Sequence, residues 1–124
     1  MDVYSFWDAV LRQDAARMRT FFTDSARISW PCTAENFTAE EFIRANCAYP
    51  GAWTGTVERV EQAGDTMISV SHVCAADGSC SFHAVSFFRL EAGRIAALEE
   101  YWGDDGPAPQ WRRDLLSEKT AGEV

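Results

Sequence analysis

Residues 66–102 read TMISVSHVCAADGSCSFHAVSFFRLEAGRIAALEEYW. Apolar and polar residues alternate through this stretch, and two short steps interrupt it, Asp77-Gly78 and Ala92-Gly93. Alternation with a period of two marks a strand, and a glycine-bearing step between two such runs marks a hairpin turn. Residues 53–63 alternate in the same way and end at Ala63-Gly64-Asp65. The pattern predicts four strands, near 53–63, 66–76, 80–91 and 94–102. Joined by consecutive hairpins, they make an antiparallel meander.

Turn length then sets which residues face each other. A loop of two or four residues around Asp77-Gly78 puts His72 opposite His83 and Cys74 opposite Ser81, whereas five residues would separate the histidines. A two-residue turn at Ala92-Gly93 puts Val85 opposite Glu100, Phe87 opposite Leu98 and His83 opposite Trp102. One face would then carry Ile68, Val70, His72, His83, Val85, Phe87, Leu98, Glu100 and Trp102. The other would carry Phe82, Ala84, Ser86, Phe88, Leu90, Ile95, Ala97, Glu99 and Tyr101. Both are too apolar to meet water freely, so one is expected to pack on helices and the other on a second copy. The expected assembly is a homodimer through the outer face, with Phe82, Phe88, Ile95 and Tyr101 in the contact.

Before residue 51 the period is helical. Val3, Phe6, Trp7, Val10 and Leu11 form one helix face. Asp14 is placed to cap a second, shorter helix that turns Ala15, Met18 and Phe22 inward. Residues 26–30 read as a short strand stopped by Pro31. Thr38 and Glu41 form a capping box for a third helix, with Phe37 and Phe42 as a hydrophobic staple, and this helix ends at Tyr49-Pro50-Gly51. The fold class is therefore α+β, with three N-terminal helices on a curved antiparallel sheet of a four-stranded meander plus one short strand. One domain over residues 1–116 accounts for the pattern. Gly103 to Pro109 reads as an irregular exit, Trp111 is expected to dock back, and 117–124 is expected to fray.

The 124 residues suit a single domain. A net charge of −8 with no basic stripe argues against nucleic acid and against anionic membrane surfaces. The opening residues lack the basic and apolar regions of a signal peptide, and no apolar run approaches the roughly 20 residues that span a bilayer. Cys32, Cys47, Cys74 and Cys80 form no Cys-x-x-Cys pair, so they are read as free, mostly buried thiols of a cytoplasmic protein. No pattern calls for a cofactor.

Several segments resemble the NTF2-like superfamily. Phe22-Thr23-Asp24-Ser25-Ala26 is similar to its Asp-Ala step into the first strand. Phe37-Thr38-Ala39-Glu40-Glu41-Phe42 is similar to the start of its third helix, and Gly93-Arg94-Ile95 to its Gly-Lys-Ile turn. Glu100-Tyr101-Trp102-Gly103-Asp104-Asp105-Gly106, followed by Pro109-Gln110-Trp111-Arg112, resembles a bacterial SnoaL-like subgroup. The likeness covers about residues 3–112. It implies a cone-shaped fold whose pocket lies between helices and sheet, hosting isomerases, cyclases, dehydratases, epoxide hydrolases, transport factors and many proteins of unknown role. SnoaL-like cyclases often carry an inward His and Asp two residues apart on the last strand, and here those positions hold Leu98 and Glu100. The Asp-Arg-Asp arrangement of limonene epoxide hydrolases has no counterpart.

The candidate site follows from the register and the resemblance together. Glu100, set among Val85, Leu98 and Trp102, is a carboxyl whose charged form is disfavoured, which poises it for acid–base work. His83 and His72 are its candidate helpers. The alternative is a strand-end glutamate reaching solvent and two ordinary hydrogen-bonded histidines. Trp30, Tyr49, Trp53, Val85, Phe87, Leu98 and Trp102 are expected to line a pocket for a small apolar or aromatic molecule. Zinc would accept His72 and His83 with Cys74 or Glu100, but no known zinc-ligand spacing is present, and no metal is expected. The sequence thus supports a small-molecule-binding protein, with cofactor-free isomerisation, cyclisation or dehydration as the chemistry it would run as an enzyme. The other readings are a binding module without chemistry and a dimerisation domain.

Overall fold

The computed structural model describes residues 1–123, with side chains as far as Leu116. Its elements in chain order are α1 (Val3–Leu11), α2 (Ala15–Arg19), β1 (Phe22–Trp30), β2 (Glu35–Thr38), α3 (Ala39–Ala48), β3 (Trp53–Ala63), β4 (Thr66–Ala75), β5 (Ser81–Glu91), β6 (Arg94–Asp104) and α4 (Gln110–Glu123). The sheet order is β2-β1-β6-β5-β4-β3. β1 runs parallel to β6, and every other neighbouring pair is antiparallel. Among the described residues no helix is long and apolar enough to cross a membrane.

Local chemistry explains the helix starts. Asp2 accepts from the Tyr4 amide at 2.9 Å and caps α1, and Asp14 accepts from the Arg17 amide at 3.1 Å and caps α2. Both arms of the α3 capping box are present: the Glu41 amide donates to Thr38 Oγ1 at 3.2 Å, and the Thr38 amide donates to Glu41 Oε1 at 2.9 Å. The Phe37 and Phe42 rings meet edge to face at 6.4 Å, as a staple should. Val3, Phe6, Trp7, Met18, Phe42 and Ile43 are buried, so the helices press one apolar layer onto one face of the sheet.

The strand count departs from expectation. Among the described residues there are six strands and four α-helices rather than four strands plus one and three helices. β1 begins at Phe22 rather than Ala26, because Phe22 already pairs with Ile95 of β6, whereas the pairing with β2 involves only Arg27, Ile28, Ser29 and Trp30. β2 is an extra edge strand made of the residues that also cap α3, and a 3₁₀ turn over Pro31–Thr33 links it to β1. Residues 110–123 form α4 instead of continuing an irregular exit, and Trp111 does not dock back, being 64% exposed. The fraying expected of 117–124 falls outside the described side chains.

The decisive departure is one residue in β6. The Ala92-Gly93 turn has positive φ at both positions and pairs Glu91 with Arg94 and Leu90 with Ile95, the expected register. The register then shifts, so that Arg89 pairs with Ala97 and Ala96 is the unpaired extra residue of a bulge. From there Phe88 faces Leu98, Ser86 faces Glu100 and Ala84 faces Trp102. A shift of one residue exchanges faces for the rest of the strand. The buried face therefore carries Phe82, Ala84, Ser86, Phe88, Leu98, Glu100 and Trp102. The outer face carries His72, His83, Val85, Phe87 and Tyr101. The contact set expected for a dimer is corrected accordingly: Phe88 and Ile95 are fully buried under the helices, Phe82 packs there too, and of the four only Tyr101 lies outside.

Candidate functional site: an aromatic cavity, a buried carboxyl and an outer histidine pair

A cavity of about 550 Å³ opens between α1, α3 and the inner face of the sheet. Its wall is a run of touching aromatic rings. Tyr49 meets Trp53 at 5.1 Å, Trp53 meets Phe82 at 5.8 Å, Phe82 meets Trp102 at 4.8 Å and Trp102 meets Trp30 at 5.9 Å. Val10 and Val73 complete the apolar lining, while Gln13, Asn46, Glu35 and Asp104 supply polar groups. Four of the expected lining residues, Trp30, Tyr49, Trp53 and Trp102, are there. Leu98 is core rather than lining, and Val85 and Phe87 point to the opposite face because of the bulge.

Gln13 fixes the rim. It takes a positive φ of 52°, and its side-chain amide donates to the carbonyls of Asn46 and Tyr49 at 2.8 and 2.7 Å. Both carbonyls lie at the C-terminal end of α3, where helix carbonyls run out of intrahelical donors, and that of Asn46 also accepts from the Tyr49 amide at 3.3 Å. Trp102 presents a different situation, since its indole N–H is buried without an acceptor.

Glu100 lies behind the cavity wall. It is 1% exposed and does not itself line the space. Trp30 Nε1 donates to its Oε1 at 3.1 Å, and Ser86 Oγ donates to its Oε2 at 2.6 Å. Burial pushes its pKa up to about 7, against the opposing pull of those two donors, which favour the charged form. The expected apolar setting holds, but the neighbour across the strand is Ser86 rather than Val85.

His72 and His83 pair directly across β4 and β5, as the Asp77-Gly78 turn requires, through a four-residue loop closed by the Ala75 amide on the Cys80 carbonyl. Their rings stack at 4.4 Å, 13° from parallel. They stand on the outer face, so they cannot assist Glu100, and the expected three-residue constellation is not assembled. Their partners are acids instead. Asp105 Oδ2 lies 2.9 Å from His72 Nε2, and Asp105 Oδ1 lies 2.5 Å from His83 Nδ1. Glu58 Oε1 lies 3.2 Å from His83 Nε2. The Asp105 hydrogen bond raises the His83 pKa, while hydrogen bonds from Ser81 and the two histidines lower that of Asp105. Cys74 Sγ sits 3.7 Å from His72 Nε2. All four cysteines are unpaired, but none is buried: Cys32 and Cys80 are exposed, Cys47 and Cys74 half-buried.

Sequence reasoning missed Ser86, Gln13, Glu58 and Asp105. The first depended on the bulge. The others are polar residues at a turn, in an edge strand and in an exit loop, where nothing in the pattern distinguishes them from solvated ones.

The SnoaL-like domain family matches residues 3–98. Among solved structures, a protein provisionally named a ketosteroid isomerase, from Kribbella flavida, superposes with a TM-score of 0.76 at 21% identity, over 90% of this chain and 82% of its own. An NTF2-like protein of unknown function from Burkholderia xenovorans gives 0.76 at 19% identity, over 90% and 88%. An epoxide hydrolase of the LEH-like type from M. tuberculosis gives 0.66 at 13% identity, over 82% and 79%. At these identities the likeness is one of fold. No curated protein matches the chain by sequence.

Proposed function

The chain belongs to the SnoaL-like domain family of the NTF2-like superfamily, and from that premise we propose that it binds a small apolar or aromatic molecule in the cavity walled by Trp30, Trp53, Phe82 and Trp102. The continuous aromatic wall is the observation that carries this reading. The cavity volume falls within the range of about 300–1,000 Å³ usual for small-molecule sites, and such sites pair apolar walls with a few placed polar groups. Gln13, Asn46, Glu35 and Asp104 are the polar side chains along this wall. Titration with a panel of neutral aromatic and polycyclic compounds, read by tryptophan fluorescence, is the test. One-to-one saturable binding that Trp53→Ala weakens at least tenfold, and that Phe87→Ala on the outer face leaves alone, is expected. Failure of every compound below millimolar concentration, or binding indifferent to Trp53→Ala, would overturn the reading.

A second reading adds chemistry, and the pKa of Glu100 favours it. A carboxyl that exchanges its proton near neutrality, one side chain behind the cavity, suits a general acid or base for isomerisation, cyclisation or dehydration. To reach a bound molecule it needs Trp30 to turn aside and release a hydrogen bond worth about 2 kcal/mol. Glu100→Gln should abolish turnover with ligand affinity kept within about threefold. A variant that still turns over makes Glu100 structural, and absence of turnover in the unaltered chain makes the protein a binding module.

We further propose a homodimer through the outer face, now with Val70, Val85, Phe87 and Tyr101 in the contact. A cytoplasmic location is supported by the four unpaired thiols.

A further inference from the structure

The outer ends of β4 and β5 hold a group of polar side chains that the cavity does not use. His83 has a carboxylate at each ring nitrogen, Asp105 at Nδ1 and Glu58 at Nε2. A neutral imidazole offers one N–H and one lone pair, so it can satisfy only one of them. Asp105 is the nearer and takes the Nδ1–H. The lone pair on Nε2 is then aimed at the Glu58 carboxylate at 3.2 Å, which is repulsive unless a proton or a metal ion lies between.

We infer that Glu58, His72 and His83 form a binding site for a divalent metal ion of the zinc type. One ligand atom from each comes within 4.8 Å of the others. Ligands sharing a tetrahedral zinc sit about 3.3 Å apart at bond lengths of about 2.0–2.2 Å, a closure that side-chain torsions can supply. Two imidazoles and a carboxylate are a donor set zinc accepts, with water in the fourth position. Asp105 fits as the outer partner, since a carboxylate on the far ring nitrogen fixes the tautomer and orients the ligand. Ser81 Oγ in turn donates to Asp105 Oδ2 at 2.6 Å. Two carboxylates beside two neutral imidazoles leave a charge of −2 for the ion to balance.

The strands supply the ligands in order: Glu58 from β3, His72 from β4, His83 from β5. Glu58 is itself the unpaired residue of a bulge, between the pairs Val57 with Ser71 and Arg59 with Val70. Bulges redirect side chains in this way. Glu58 takes the place that the sequence offered to Cys74 or Glu100, the latter now being on the other face. The competitor for the same position is a proton on His83.

The test uses the untagged full chain at pH about 8, above the ordinary imidazole range. Zinc is titrated by calorimetry, with the side-chain NMR signals of His72 and His83, the only two histidines, followed in parallel. One ion per chain, with both imidazole signals moved, is expected. His72→Ala and His83→Ala should each weaken binding at least tenfold, Glu58→Gln should weaken it, and Asp105→Asn should do so about 10–100-fold. Absence of binding at millimolar zinc, or binding that leaves both imidazoles unmoved, would overturn the site and leave the proton as its occupant. The NMR readout uses the unaltered chain and so does not depend on the folding of any variant. It is also independent of the cavity's ligand.

Discussion

At Glu100 the energetics of one carboxyl become a property of the whole fold. Unfolded, it ionises near the ordinary glutamate value, and folded, it holds its proton to about pH 7. Between those values the native state binds more protons than the unfolded chain, so stability falls as pH rises through the interval. The loss is on the order of 3 kcal/mol once both states are ionised. Urea denaturation at pH 5 and pH 8 should show it, and Glu100→Gln, with no proton to lose, should flatten the dependence. A pH-independent midpoint in the unaltered chain would mean the carboxyl is not buried as described. That Glu100 sits in an apolar setting was legible in its neighbours Leu98 and Trp102. Its actual donors, Ser86 and Trp30, were not, because each comes from another strand and depends on register.

Among the elements, β6 decides most. Ala96 is the single residue that turns Leu98, Glu100 and Trp102 inward and leaves Glu99 and Tyr101 outside. Its deletion should give a regular hairpin in which Ile95 and Ala97 become consecutive and keep their partners Leu90 and Arg89, so that Leu98, Glu100 and Trp102 stay inward. The expected result is a retained cooperative thermal transition, and its loss would show that the local twist of the bulge is itself required. The meander was legible because the three turns carry glycines and the alternation is strong. The α3 capping box was legible because its two partners are three residues apart. The bulge was not, since Ile95, Ala96 and Ala97 are all small or apolar and no polar residue betrays the extra position. β2 hid inside the α3 start signal, and α4 lay beyond the Gly- and Pro-rich run 103–109. The histidine pairing survived because a four-residue loop keeps the register of a two-residue turn.

For the whole molecule, the open face of the sheet is the unanswered surface. Phe87 and Tyr101 meet edge to face at 6.2 Å, with Tyr101 39% exposed, and Val70 and Val85 beside them are only half-buried. A dimer closing on this patch should appear in light scattering at micromolar concentration. Phe87→Asp, which leaves the helix-covered face untouched, should convert it to monomer. A monomeric parent would rule the dimer out. The pairing of β1 with β6 has a consequence of another kind. Trp30 and Glu100 touch although 70 residues separate them along the chain. Contacts of such sequence separation form slowly, because a long loop must close before it is rewarded. During synthesis β1 therefore emerges well before the strand that flanks it. The apolar residues of α1, α2 and β1 wait exposed until residues 95–104 leave the ribosome, and that interval is when the nascent chain is most open to aggregation and to chaperone capture.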